Sequence, residues 1–415
     1  MWQDHLHRLS PAEFKLRYRL DLASFNHLHD LLEEELKTKN VKQAECGRPS
    51  GGAVDSRVRL AITLRYLAGG SIEDIRLIYH VSKMECYRCM WRTIDAINEH
   101  PDLQIEFPID DPDALRDMES EFARAHFKRY GSFSWRGNVG AIDGIDFAMK
   151  NPGDICVCVC IPECMYNCIC VYVSPTAHMS PNITGKAVDN PRRFYVTRKH
   201  GHELLCIAIC DAQRRFTYYN IGFEPSSHDS LAWAGTKLGA KIDKEGLGGY
   251  FLNGDNAFTQ PDHMLVPSGA SDYDFYQSSN RMVIECAFGE LIRRWGVFWR
   301  PLEVAYERRS PLIAAAMKLH NYCIDRKIML NLNEENGYTL IQPRVWAPSP
   351  LMKDGELSIQ MPGYTHQFLD TGARGSNSSS TRANAKRDEV AGALRDAGLV
   401  RPNESARRQA LRGVV

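Results

Sequence analysis

Apolar residues in the first hundred positions recur at helical spacing. Ser10-Pro11-Ala12-Glu13 sets a cap, a proline at the first helical position and a capping-box acid in order. Phe25, Leu28, Leu31, Leu32 and Leu36 carry on the rhythm, so residues 1–50 read as a helical segment closed by a Gly/Pro/Ser linker at 47–52. The pattern resumes over residues 58–97. Gly69-Gly70 ends one helix, Ser71 to Asp74 opens a second, and His80-Val81-Ser82 breaks that one before a third, capped by Ser82. A helix, a short helix, a tight turn and a longer helix form a helix-turn-helix, here assigned to residues 55–125. Lys83, Arg88 and Arg92 fall on outward positions of the third helix. They suit contact with DNA, and they suit equally the solvated face of a small packing unit; the pattern alone leaves both open.

Beyond residue 113 the period changes. Val139, Ala141, Asp143, Ile145 and Phe147 alternate along one face of a predicted strand at 139–150. Two further runs, 203–210 and 215–223, flank the short polar connection Asp211-Ala212-Gln213-Arg214, which suits a hairpin. Ser227-His228-Asp229 caps a helix expected through 238, and residues 249–253 form a fourth strand leading to Gly254-Asp255. The last firm element is a helix over about 281–295 with the apolar stripe Ile284, Ala287, Phe288, Leu291 and Trp295. Three strands, a helix, a strand and a helix predict a mixed α/β domain over 135–330.

Composition narrows the classes. A chain of 415 residues suits two or three folded units. With 51 basic and 51 acidic residues it is no uniformly basic nucleic-acid coat, although local basic faces stay open. The first twenty residues are charged throughout, so no secretory signal is expected. An odd count of 13 cysteines in a long chain argues for reduced thiols in the cytosol or nucleus. Six of them fall between Cys156 and Cys170, within the most apolar stretch of the chain. Pro162, Glu163 and Asn167 make that stretch a poor membrane span, and no membrane partner is expected. Its spacings also lack the paired C-x2-C of structural zinc sites. It reads as an insertion covering 154–190. Because Cys-Val-Cys-Val-Cys is what a TG repeat encodes, our hypothesis is a retained intron or microsatellite expansion, and an abundant spliced message containing it would refute that. Asn182-Ile183-Thr184 spells a glycosylation sequon without a secretory context. Residues 331–415 read as an irregular, partly disordered tail with a short amphipathic helix near 388–397 and an arginine-rich end.

Three acids stand out by position. Asp143 lies on the first strand, Asp255 follows the fourth at its C-terminal end, and Glu285 sits at the margin of the last helix's apolar stripe. If the first and fourth strands are neighbours, the three converge. Such a cluster repels itself unless cations neutralise it, and oxygen-only ligands select Mg²⁺ or Mn²⁺. Two such ions activate a water or 3′-hydroxyl and steady the leaving oxygen in phosphodiester cleavage. A single acid of this kind is more often a cap or an ion-pair partner; three in these positions are harder to dismiss.

The stretches AIDGID, YVTRKHGHELLCIAICDAQRRFTYYNIGFEPSSHDSLAW, FLNGDNAF, SSNRMVIECAFGELIRRWGVF and AAAMKLHNYCID resemble PIF/Harbinger-type DDE transposases in order and spacing. The resemblance spans about residues 10–330 and includes the helix-turn-helix. It implies an RNase H-like endonuclease domain: a mixed sheet with flanking helices, following an all-α N-terminal region. It also implies that Asp143, Asp255 and Glu285 are the catalytic acids holding two divalent cations, Mg²⁺ or Mn²⁺, with Asp229 as a further metal-proximal acid. Asp229 is equally a helix N-terminal acid favoured by the dipole. Arg198 and Lys199 fall on the family's Y-x-x-R-K segment and would contact phosphate. Arg281, Arg293 and Arg294 form a basic strip for a DNA strand, or a solvated face. Terminal inverted repeats and target DNA, a Myb-like partner protein, a homo-oligomer and nuclear action are implied by the same resemblance.

The chain departs from the family in three places. Ile145-Asp146 stands where the family usually has Thr-His, 29 residues separate Asp255 from Glu285, a few fewer than usual, and the insertion lengthens a normally short connection. The competing expectation is therefore a domesticated or decayed transposase that binds DNA without cutting it.

Overall fold

The computed structural model describes residues 2–37, 53–152, 155–160, 168–173, 190–258, 263–328 and 381–401. The expected linker, the turn of the cysteine-rich segment with the sequon, the Pro- and Gly/Ser-rich stretches and the arginine-rich end lie outside these residues.

The N-terminal region is all helical, with α1 (Trp2–His7), α2 (Pro11–Tyr18), α3 (Leu22–Leu36), α4 (Ser56–Leu67), α5 (Ile72–Tyr79) and α6 (Lys83–Glu99). The caps form as the residues require. The Ser10 hydroxyl accepts from Glu13 N and the Glu13 carboxylate from Ser10 N, while Ser71 and Ser82 cap α5 and α6. His80, in the left-handed region at φ 50°, makes the tight turn between those last two helices.

The helical region and the α/β domain are packed as one body. Leu28, Leu64, Met90 and Ile94 share an apolar core with Ile145, Phe147, Phe288 and Leu291 of the α/β domain. Two backbones meet at the seam: a β-carbon on Gly296 would stand 2.5 Å from the Ala68 carbonyl oxygen. Arg19, buried there, donates to the carbonyls of Leu16, Ala68 and Arg294, tying the ends of α2 and α4 to the end of a later helix in the α/β domain. Burial lowers its guanidinium to about 10.

After α7 (Pro112–Tyr130), a helix the period reading missed, comes a six-stranded sheet. It contains β1 (Asn138–Met149), β4 (Tyr195–Val196), β5 (Gly201–Cys210), β6 (Phe216–Phe223), β7 (Phe251–Asn253) and β8 (Met264–Leu265). β5 pairs antiparallel with β1 on one edge and with β6 and β4 on the other, while β7 runs parallel to β1 and β8 parallel to β7. Leaving aside the short β4, the strands thus lie in the order β6, β5, β1, β7, β8, with the last two parallel to β1. That is the RNase H-like arrangement expected. A register shift against β7 between Asn138 and Gly140 turns Val139 to the opposite core from Ala141, which breaks the single-face reading at its start.

Among the described residues, strands β2 (Ile155–Cys160) and β3 (Cys168–Val173), from the cysteine-rich segment, pair with each other and not with the main sheet, whose β1–β5 ladder is unbroken. Thr236 splits the single helix expected after Asp229 into α8 (Asp229–Ala234) and α9 (Lys237–Glu245) by capping the second. The last long helices are α10 (Ser271–Arg294), starting ten residues earlier than its stripe suggested, and α11 (Tyr306–Asp325). In the tail, α12 (Thr381–Asp396) is longer than expected and packs Val390 and Leu394 against Trp135, Phe251 and Tyr273. No helix among the described residues is long and apolar enough to cross a membrane.

Candidate metal and nuclease centre

Three carboxylates meet where β1 outruns β7. Ala141 is the last β1 residue paired with β7, through Asn253. Two positions on, Asp143 is 2% exposed, facing the gap left by the ended strand. Asp255 follows β7 directly, its carboxylate accepting from Ala257 N at 2.8 Å in a turn that points it back over the strand end. Asp229 is the first residue of α8. One ligand oxygen from each of Asp143, Asp229 and Asp255 lies within 4.8 Å of the others. The parallel β1–β7 pairing is what makes two acids distant in sequence converge.

Gly144 makes room for the third. A β-carbon there would stand 2.8 Å from Asp229 Oδ1, so only glycine lets that carboxylate rest against β1. Of the two sequence readings of Asp229, the structure brings it to the acid group as well as to a helix start.

Glu285 is not in that group of three. It is joined to it by Arg281, one helical turn earlier on α10. Arg281 Nη1 donates to Asp143 Oδ2 at 3.0 Å and Nη2 lies 2.6 Å from Glu285 Oε1. The guanidinium is nearly fully buried, which a charge tolerates only when paired. The other Asp143 oxygen accepts from Gly144 N at 2.8 Å.

Gln277, fully buried one turn before Arg281, donates its amide to the carbonyls of Gly254 and Leu265 at 2.6 and 3.1 Å. It pins the segment carrying Asp255 to the helix carrying Glu285. Sequence reading missed Gln277 and the role of Arg281. The i, i+4 spacing of Arg281 and Glu285 was the available signal.

The residues expected to touch DNA are scattered. The expected basic strip does not form: Arg293 is exposed, Arg281 is in the acid cluster, and Arg294 is buried with Nη2 on the Ile328 carbonyl. Lys83 and Arg88 are exposed, beside Glu73 at 2.8 Å and Glu85 at 3.7 Å. Arg92 spends its guanidinium on the carbonyls of Glu35 and Lys37 at the end of α3. Lys199 is held by Asp146 and Glu203, at 3.2 and 2.8 Å, rather than facing outward. Burial pushes the Glu203 carboxyl up, and the Lys199 hydrogen bond works against that. Arg198 sits on a single 3₁₀ turn, Thr197–Lys199, and its side chain lies outside the described residues.

The donor set fits a hard divalent cation. All donors are carboxylate oxygens, and two ligands of one Mg²⁺ at about 2.1 Å stand at most about 4.2 Å apart. The observed limit of 4.8 Å is within side-chain adjustment of that value.

Comparison with known proteins agrees with this reading. Residues 182–321 match the family model described as DDE superfamily endonuclease. The chain is 22% identical over 294 residues to the mouse (Mus musculus) protein named "Putative nuclease HARBI1", a match covering 68% of this chain and 72% of that one. The human (Homo sapiens) protein of that name is 21% identical over the same coverage. Among solved structures, "Mos1 transposase paired-end complex with left transposon end" aligns with 60% of this chain and 75% of that one, at 12% identity and a TM-score of 0.18, too low to support any structural argument. The family-model match and the nuclease relatives bear out the resemblance read from the motifs: the chain is related to Harbinger-type DDE superfamily transposases and the endonucleases derived from them.

Proposed function

We propose that the chain is a metal-dependent DNA endonuclease of the DDE transposase type, cleaving phosphodiesters and joining strands. The observation that carries this reading is the convergence of Asp143, Asp229 and Asp255, with Glu285 linked to them through Arg281. Two divalent cations, Mg²⁺ or Mn²⁺, held by Asp143, Asp229, Asp255 and Glu285, would supply Lewis acidity and an activated water or 3′-hydroxyl. The chain's own residues do the rest. Asp143 anchors the centre on the most central strand, Gly144 admits Asp229, and Gln277 holds the Asp255 segment at a fixed distance from α10. Among the described side chains of the expected set, Lys83, Arg88 and Arg293 are the exposed cations and would meet the DNA backbone. Action on terminal inverted repeats and target DNA in the nucleus, with a Myb-like partner and as a homo-oligomer, belongs to the same proposal.

The test is purified chain with a labelled duplex and Mn²⁺. Cleavage that falls at least a hundredfold in Asp143→Asn and Asp255→Asn, with duplex binding retained, supports the enzyme. Binding without cleavage by the intact chain overturns it. That second outcome favours a DNA-binding, decayed or domesticated transposase, a reading supported by the β2–β3 ribbon inserted between β1 and β4.

A further inference from the structure

We infer that Arg281 orders metal loading: the first cation enters at Asp143, Asp229 and Asp255, and the second, which needs Glu285, enters only when the guanidinium leaves. The inference rests on the metal-centre reading above and adds a positioning residue to it. Three carboxylates already converge without Glu285, so one site is nearly assembled in the free chain. Glu285 faces Arg281 instead, and the same guanidinium holds Asp143 Oδ2, so it fills the place between these two carboxylates where a shared cation would sit. An arginine cannot shed its proton in a protein, so that place is held by a permanent positive charge. A divalent ion cannot occupy it at the same time.

The fork of Arg281 thus fills the role of an internal cation between the first strand and the last helix of the acid cluster. It keeps Asp143 and Glu285 from repelling each other while the second place is unfilled. Its departure needs another anion to receive it, and the phosphodiester backbone is the anion the proposed substrate brings. Met282 and Cys286, the residues following Arg281 and Glu285, are exposed, so this face of α10 lies at the surface where a strand would pass. The second cation therefore arrives with DNA, and a chain without DNA holds one.

The experiment counts Mn²⁺ bound to the full chain without DNA, by titration calorimetry and by the electron spin resonance of free Mn²⁺. The intact chain is expected to bind one Mn²⁺ and Arg281→Gln two. Arg281→Lys, which keeps the charge, should bind one, and Arg281→Gln/Glu285→Gln should return to one. Thermal melts report folding of each variant, and Mn²⁺ should raise the midpoint of Arg281→Gln more than that of the intact chain. Should Gln prevent folding, Arg281→Met takes its place in the same comparison. Two Mn²⁺ in the intact chain, or one in the charge-removing variant, overturns the inference and leaves the metal centre standing. No Mn²⁺ in the intact chain overturns the metal centre itself.

Discussion

Gly144 and Asp229 are in contact across the edge of the sheet: the Asp229 carboxylate occupies the space into which any side chain on residue 144 would project. The glycine of AIDGID is therefore a steric requirement of the acid on α8, not of the strand's own backbone, since its φ is not in the left-handed region.

Enlarging that glycine should therefore disturb the metal centre. Gly144→Ala should push Asp229 away from Asp143 and weaken Mn²⁺ binding by roughly tenfold or more, in the range seen when groups supporting a metal site are lost. Calorimetric titration measures it, with circular dichroism expected to show an unchanged fold.

Gln277→Leu should remove the two hydrogen bonds that fasten Gly254 and Leu265 to α10. The Leu265 carbonyl keeps its bond from Gly254 N, but leaving the Gly254 carbonyl without its Gln277 donor costs roughly 1–3 kcal/mol, so the variant should melt a few degrees lower. Its Mn²⁺ affinity should fall as well, because the segment it releases carries Asp255. An unchanged affinity would show that Gln277 serves packing alone.

His320 is fully buried against the Arg214 carbonyl, and desolvation lowers its imidazole to about 4. A base whose folded value lies below its unfolded value of about 6.5 binds its proton more readily when unfolded. The stability it contributes is complete above pH 6.5 and is lost as pH falls toward 4, amounting to roughly 2 kcal/mol between pH 7 and 5. His126, also lowered to about 4, adds to the same acid limb. Asp211, raised by burial to about 6, acts in the opposite sense, since it is more easily protonated when folded. His320→Gln, which retains a donor for the Arg214 carbonyl, should lose roughly 2 kcal/mol less than the natural chain between those two pH values. Urea melts at both would measure the difference.

At the seam, Gly296→Ala would force a methyl group to within 2.5 Å of the Ala68 carbonyl, and backbone on both sides prevents relief. A loss of about 1–3 kcal/mol is expected, typical of overpacking with no room to adjust. A thermal melt unchanged within a degree would refute it.

Local rules carried much of this fold. Ser10, Ser71 and Ser82 announce their helices because capping depends on neighbours three residues away. The β1 alternation, the 211–214 hairpin and the apolar stripe of α10 were legible for the same reason. The helix α7 was not, because its buried residues, Leu115, Met118, Phe122, Ala123 and His126, are interleaved with charges and include a histidine. At the centre, Asp143 and Asp255 could be named, but their approach depends on the parallel β1–β7 pairing, which no local pattern states. Arg281 was misread because an arginine on a helix looks solvated until its partner, 138 residues earlier, is known.

The seam at Gly69, Gly296 and Arg19 has a consequence for how such a molecule would measure DNA. A recognition unit on a slack tether leaves the cut site to the length of the tether. Here α4, packed against the helix α6 that bears Lys83 and Arg88, is riveted, backbone against backbone, to the segment that follows the helix bearing Glu285. The offset between a sequence gripped by those helices and a bond placed at the acids is then a dimension of the protein itself, a fixed gauge cut into the fold.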